Sequence, residues 1–169
     1  MDETTIDSVR LKEIGSSGRA CLGWILKGMG IESEIEVCER EGQIYLNVLS
    51  GPDSSIAIGR KGQTLEALQI LVSRITAQSC PEVLGQVKIL VDVEGYRERR
   101  QGNILEMARK AADEVQETGE PVLLEPLNSY ERYLVHNALK EESGISTSSR
   151  GEGSMKQIVI EPASGPDHS

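Results

Sequence analysis

The chain has no phenylalanine, one tryptophan and four tyrosines in 169 residues. So few rings argue against a sheet surface paved with aromatics for stacking bases. Its three cysteines, Cys21, Cys38 and Cys80, are far apart and form no C-x-x-C pair. A disulfide framework and a structural zinc site both draw on paired sulfurs, so neither is expected. All three thiols are expected to be reduced and partly buried. One histidine, His136, lies outside the C-terminal tail, and no nucleophile or carboxylate pair accompanies it. A catalytic or metal-binding role is therefore not expected, nor is any cofactor. No apolar window approaches about 18 residues, which excludes a membrane-spanning helix. The opening MDETTIDSVR is acidic and polar, unlike the basic and then apolar start of a secretory signal, so a cytosolic location is expected.

What is present suits a packed, water-exposed protein: 38% of residues are hydrophobic and 27% charged, enough for a core and a solvated surface. The formal net charge is -9, but it is unevenly spread. Residues 1–50 carry -4 and residues 111–169 carry -7, whereas residues 95–110 carry +3 from Arg97, Arg99, Arg100, Arg109 and Lys110. A local basic stripe still attracts phosphates when the acidic segments lie more than a Debye length away.

Hydrophobic periodicity gives the order of elements. Ser16 or Ser17 is expected to cap a first helix carrying Cys21, Trp24, Ile25 and Met29, with Trp24 and Tyr45 in the core. Two alternating strands follow at 34–38 and 43–49, joined by a turn at Arg40-Glu41-Gly42. After Gly51-Pro52-Asp53 and a short apolar turn, a helix carries Leu65, Leu68, Leu71, Val72 and Ile75. Pro81 and Gly85 mark a loop before a β-branched strand at 87–93. A second unit opens near Gly95 with a long helix through Ile104, Leu105, Ala108, Ala111, Ala112 and Val115. A short extended stretch at 121–126 leads to a helix capped by Asn128 or Ser129 that carries Tyr133, Leu134 and Leu139. The last expected strand is Ile158-Val159-Ile160. The expected domains are a polar tail at 1–15, a first domain at 16–94, a second at 95–162 and a frayed tail at 163–169.

Two constellations bear on function. The first is Gly59-Arg60-Lys61-Gly62 at the mouth of a helix. Paired glycines let a backbone approach a ligand closely, the helix directs free N–H groups at the loop, and two cations stand where phosphates would lie. The longer glycine patterns of mononucleotide and dinucleotide sites are absent. A bare G-x-x-G is often only a turn into a helix. With Ile56-Ala57-Ile58 before it, two cations within and a long helix after, a clamp for a sugar-phosphate backbone is the better reading. The second constellation is Arg132 and His136, which share a helix face four residues apart. By itself such a pair is usually a solvated face.

Taken together, "IGRKGQTLEALQ" (58–69), "VDVEGYRERR" (91–100), "TGEPVLLEPLNSYERYLVH" (118–136) and "TSSRGEG" (147–153) resemble the bacterial Jag (KhpB-like) family of RNA-binding proteins. The resemblance covers roughly residues 16–162. It implies an α+β chain: a type II KH domain in α-β-β-α-α-β order, then a small α/β Arg-x-x-x-His domain with helices on one face of a short sheet. It also implies non-enzymatic binding of single-stranded RNA, with single-stranded DNA as a related ligand. Gly59, Arg60, Lys61 and Gly62 would be the clamp; Arg97, Arg99 and Arg100 would widen the basic track, and Arg132 and His136 would face phosphate. A small single-KH protein or a second copy of the chain would be the protein partner, and post-transcriptional regulation linked to cell-envelope growth the role. Tyr133 stands where family members often carry a second Arg, and Lys156-Gln157 where they carry an Arg-rich strand. The family's separate N-terminal domain is not expected in the few residues before the first helix. The rival reading is a protein-interaction scaffold that no longer binds RNA.

Overall fold

A computed structural model describes residues 8–49, 51, 53–81 and 86–163. The expected tail residues 1–7 and 164–169, and Gly85 of the expected loop, lie outside the described residues. The chain is mixed α+β and divides into two compact units, Met1–Arg97 and Glu98–Ser169.

In the first unit α1 (Ser8–Gly28) precedes a hairpin of β1 (Ile35–Arg40) and β2 (Gln43–Val48). Arg40 pairs with Gln43, and both residues between them have positive φ, Glu41 at 52° and Gly42 at 68°. That is the two-residue turn whose twist matches the flanking strands. Next come α2 (Ser54–Ile58), a single 3-10 turn (Arg60–Gly62), α3 (Gln63–Ser79) and β3 (Ile89–Val93). β3 lies parallel to β2 and the sheet order is β1-β2-β3. Parallel neighbours cannot be joined by a tight turn, so the intervening helices serve as the crossover.

Burial alternates along β2 and β3, as expected for a sheet with one face on the core. Ile44, Leu46, Val48, Val91 and Val93 meet Ile14, Leu22 and Leu26 of α1 and Leu65, Leu68 and Val72 of α3 in one cluster. Two expectations fail here. α1 starts at Ser8, not at Ser16 or Ser17, because Leu11 and Ile14 extend its buried stripe by two turns, and Gly15 and Gly18 are also buried. That stripe turns Trp24 outward, 77% exposed, and leaves Met29 exposed too. Tyr45 is half-buried. α3 is apolar over a wider arc than the sheet covers, so Leu71 and Ile75 are exposed while Thr76 is buried. Cys38 is exposed on β1, against the expectation of partial burial, and all three cysteines are free thiols.

The second unit packs α4 (Tyr96–Thr118) and α5 (Ser129–Ala138) with β4 (Val122–Leu123), β5 (Ile145–Arg150) and β6 (Gln157–Pro162). The sheet is antiparallel, in the order β4-β6-β5. Ile104, Ala108, Ala111, Ala112 and Val115 of α4 form its core with Leu124, Leu127, Val135, Leu139, Ile158 and Ile160. Small alanines on α4 permit close packing. Val135 takes the buried place expected for Tyr133 and Leu134; Tyr133 is exposed. Strand β5 has no counterpart in the hydrophobic pattern, because only Ile145 in ISTSSR is apolar. Among the described residues no helix is long and apolar enough to cross a membrane.

Candidate nucleic-acid interface

The loop between α2 and α3 is anchored at both ends. Ser54 Oγ donates to Glu94 Oε1 at 2.7 Å and accepts from Gly51 N–H at 2.9 Å, which fixes the start of α2 beside the end of β3. Gly59 N–H then closes α2 onto Ser55 O at 2.9 Å. Gly59 sits at φ 70°, ψ -178°, a region essentially reserved for glycine. A Cβ there would collide with the Thr64 side chain and lie 2.9 Å from its backbone nitrogen. Lys61 is left-handed at φ 55° and Gly62 at φ 81°. A Cβ on Gly62 would stand 2.8 Å from Tyr96 Cε1, so the loop rests against the first residue of α4. α3 begins with no side-chain cap, which leaves its leading N–H groups directed at the loop. Arg60 is exposed and Lys61 half-buried. The loop thus gathers four of the expected site residues.

The basic stretch 97–100 divides. Arg97 donates through Nε to Val91 O at 3.2 Å and through its backbone N–H to Asp92 Oδ1 at 3.4 Å, with its side chain still exposed. Arg99 is exposed. Arg100 is turned inward, its side chain 19% exposed, donating at 2.9 Å to both Glu131 and Glu125. Burial lowers the basicity of this guanidinium, but hydrogen bonds and attraction to the two carboxylates outweigh it, and the pKa is raised. Arg100 therefore contributes architecture and no free charge.

In the second unit Asn128 caps α5. Its side chain accepts from Glu131 N–H at 2.9 Å and its own N–H donates to Glu131 Oε2 at 2.9 Å, a reciprocal capping box. Arg132 and His136 project one turn apart from the helix so fixed. Arg132 donates to Leu127 O at 2.8 Å, Ser154 O at 3.2 Å and Ser129 Oγ at 3.1 Å. His136 has Thr147 Oγ1 2.7 Å from Nδ1 and Ser149 Oγ 3.2 Å from Nε2. Burial first, then the positive charge of Arg132, pushes the imidazole pKa below its ordinary value. The ring is a neutral one oriented by two hydroxyls of β5, which explains why a strand of serines sits there. Tyr130 and Tyr133, 60% and 61% exposed, lie on the same solvent-facing arc of α5. Sequence reasoning missed them as a surface; the signal was their i, i+3 spacing beside an Arg-x-x-x-His pair. No group of His, Cys, Asp and Glu suited to a metal ion occurs among the described residues.

Comparison with known proteins agrees with this geometry. Residues 102–162 match the family of Arg-x-x-x-His domains, and the match covers Arg132, His136 and the β5–β6 hairpin. The "RNA-binding protein KhpB" of Clostridium symbiosum is 36% identical over 132 residues, covering 78% of this chain and 58% of that protein. Its namesake in Bacillus subtilis strain 168 is 33% identical over 139 residues, covering 80% of this chain and 64% of the relative. A third, from Lactiplantibacillus plantarum, is 29% identical and matched over 41% of its length. The chain thus spans between two fifths and two thirds of these relatives. The second unit is an Arg-x-x-x-His domain, and the chain as a whole is a homologue of proteins named RNA-binding protein KhpB.

Proposed function

We infer that this chain binds single-stranded RNA and catalyses no reaction, with the first unit acting as a type II KH domain. The element order α-β-β-α, a 3-10 turn, then α-β, with β2 and β3 parallel, supports that assignment. The observation that carries the reading is the loop: two glycines held open by Thr64 and Tyr96, two cations between them, and an uncapped helix start. Such a loop recognises a polyanion by its backbone. Arg97 and Arg99 extend the cationic surface, and Arg132 and His136 provide a second contact with Tyr130 and Tyr133 as faces for bases. Single-stranded DNA presents the same phosphates. Post-transcriptional control linked to envelope growth, in the cytoplasm and beside a small single-KH partner or a second copy, is the biological role this reading implies.

The test is Arg60→Asp with Lys61→Asp, titrated against labelled single-stranded RNA with circular dichroism as the folding control. At about 1.5 kcal/mol for each lost charge-assisted contact, two contacts correspond to roughly 100-fold weaker binding. Unchanged affinity in a folded double variant removes the loop from the interface. Failure of the unaltered chain to bind any RNA favours the scaffold reading.

A further inference from the structure

Among the described residues β3 ends its sheet, with β2 as its one strand neighbour. Ile44 N–H donates to Lys88 O at 2.9 Å and Glu94 N–H to Val48 O at 3.1 Å, which fixes the side that faces β2. In that parallel register the N–H and C=O groups of Ile89 and Val91 point outward. An open edge of this kind is a row of donors and acceptors ready for a partner. Here the row is filled by side chains. Gln69 Nε2 donates to Ile89 O at 2.6 Å, Gln69 Oε1 accepts from Val91 N–H at 2.8 Å, and Arg97 Nε donates to Val91 O at 3.2 Å. Ser73 Oγ accepts the second Nε2 proton at 2.9 Å, so the network leaves one orientation for the amide.

The filled edge lies beside the loop. Gln69 is two helical turns past Gly62, about 10 Å along α3, and Tyr96, just after β3, packs on Gly62. A strand gripped at the loop and following α3 passes this edge. A carboxamide offers an N–H donor next to a C=O acceptor, the paired pattern that a nucleobase offers on its hydrogen-bonding edge.

We propose that Gln69 occupies the place of a base at the β3 edge, so that the first unit holds RNA by its backbone and does not select among bases. Gln69 is on this account a specificity-determining residue: it suppresses readout at backbone groups that would otherwise discriminate. The inference rests on the RNA-binding reading above.

The experiment measures affinities of the full chain for fluorescein-labelled homopolymers of adenylate, cytidylate and uridylate, each about eight nucleotides long to span one site. All are taken at one salt concentration, with unaltered protein, Gln69→Ala and Gln69→Leu. The leucine variant keeps the buried volume should the alanine variant fold poorly. The unaltered chain is expected to bind all three within about threefold, less than one good base contact supplies. Uncovering the edge is expected to spread them by at least about fivefold, the lower end of discrimination by a bidentate base contact. In parallel, the Gln69 side-chain NH2 signals, identified by their loss in Gln69→Ala, are expected to hold their positions when RNA saturates the unaltered protein. Movement of those signals to the free-amide position, or equal affinities in both folded variants, overturns the proposal alone. An absence of binding by the unaltered chain to all three oligomers overturns the RNA-binding reading and this proposal with it.

Discussion

Glu131→Ala puts the second unit's architecture to its hardest test. The Glu131 side chain is 7% exposed, and the residue makes three polar contacts: with Arg100 Nε, with Asn128 N–H, and through its own backbone N–H with the Asn128 side chain. Truncation removes the first two. Removing one member of a buried ion pair costs about 3–5 kcal/mol, because the other charge stays buried without compensation. Arg100 keeps Glu125, whose side chain is 36% exposed, so the lower end applies. Loss of the capping acceptor adds about 1 kcal/mol. About 3–4 kcal/mol is the expected total, which for a unit of this size lowers the melting midpoint by at least about 12 °C. Glu131→Gln, which keeps one acceptor but loses the charge, should fall about midway. Thermal unfolding followed by circular dichroism gives the numbers. A midpoint within about 4 °C of the unaltered chain, roughly 1 kcal/mol, would refute the argument that this pair organises α4 and α5. Arg100→Ala supplies the complementary check: it should destabilise yet leave the salt dependence of RNA binding unchanged, whereas a phosphate-binding Arg100 would flatten it.

Gly59→Ala should cost at least about 2 kcal/mol, from a glycine-only conformation and the clash with Thr64, while Gly102→Ala in open space on α4 should gain about 0.5–1 kcal/mol; equal effects in chemical denaturation would show that the loop is not held as described. His136 has a lowered folded pKa and faces Arg132 and the hydroxyls of Thr147 and Ser149. As pH falls below about 6.5 the unfolded chain therefore takes up the proton first, so stability declines between that value and the folded pKa. His136→Gln should abolish this slope in melting curves taken from about pH 7.5 to 5, and a slope that survives assigns it to another group. Five cationic contacts (Arg60, Lys61, Arg97, Arg99 and Arg132) at about 0.7 each give log affinity against log salt a slope near about -3.5, and Arg60→Ala with Lys61→Ala should flatten it by about 1.4. A slope near zero in anisotropy titrations from about 50 to about 300 mM salt would mean that charge does not carry binding.

Legibility in the sequence followed the physics of each segment. β2 and β3 alternate strictly between core and outside, and α4 repeats its apolar residues at helical spacing, so periodicity located them. α3 was located but its buried face was not, because Ile70, Leu71 and Ile75 are as apolar as the residues that pack. β5 escaped altogether: it is held by backbone pairing to β6 and by His136, neither of which leaves a hydrophobic trace. At the candidate site the glycines and cations of the loop were visible by type. Which arginine would be neutralised was not. Arg97, Arg99 and Arg100 are indistinguishable in a run of charge, and the carboxylates that claim Arg100 lie 25 and 31 residues further along the chain.

The same long-range contacts explain how a chain of net charge -9 presents a cationic loop. Thr64 braces Gly59 from the first turn of α3, and Tyr96 braces Gly62 from a residue 34 positions later. The loop is therefore shaped before any ligand arrives. A ligand that meets a preformed site forfeits little to ordering the protein, so a few contacts leave a larger surplus for affinity. Fields from the acidic segments fall off over about 8 Å at physiological salt, whereas contact with Arg60 and Lys61 is made at hydrogen-bond distance. Net charge thus governs the rate at which an anion approaches, and the two braced glycines govern how firmly it is held once it arrives.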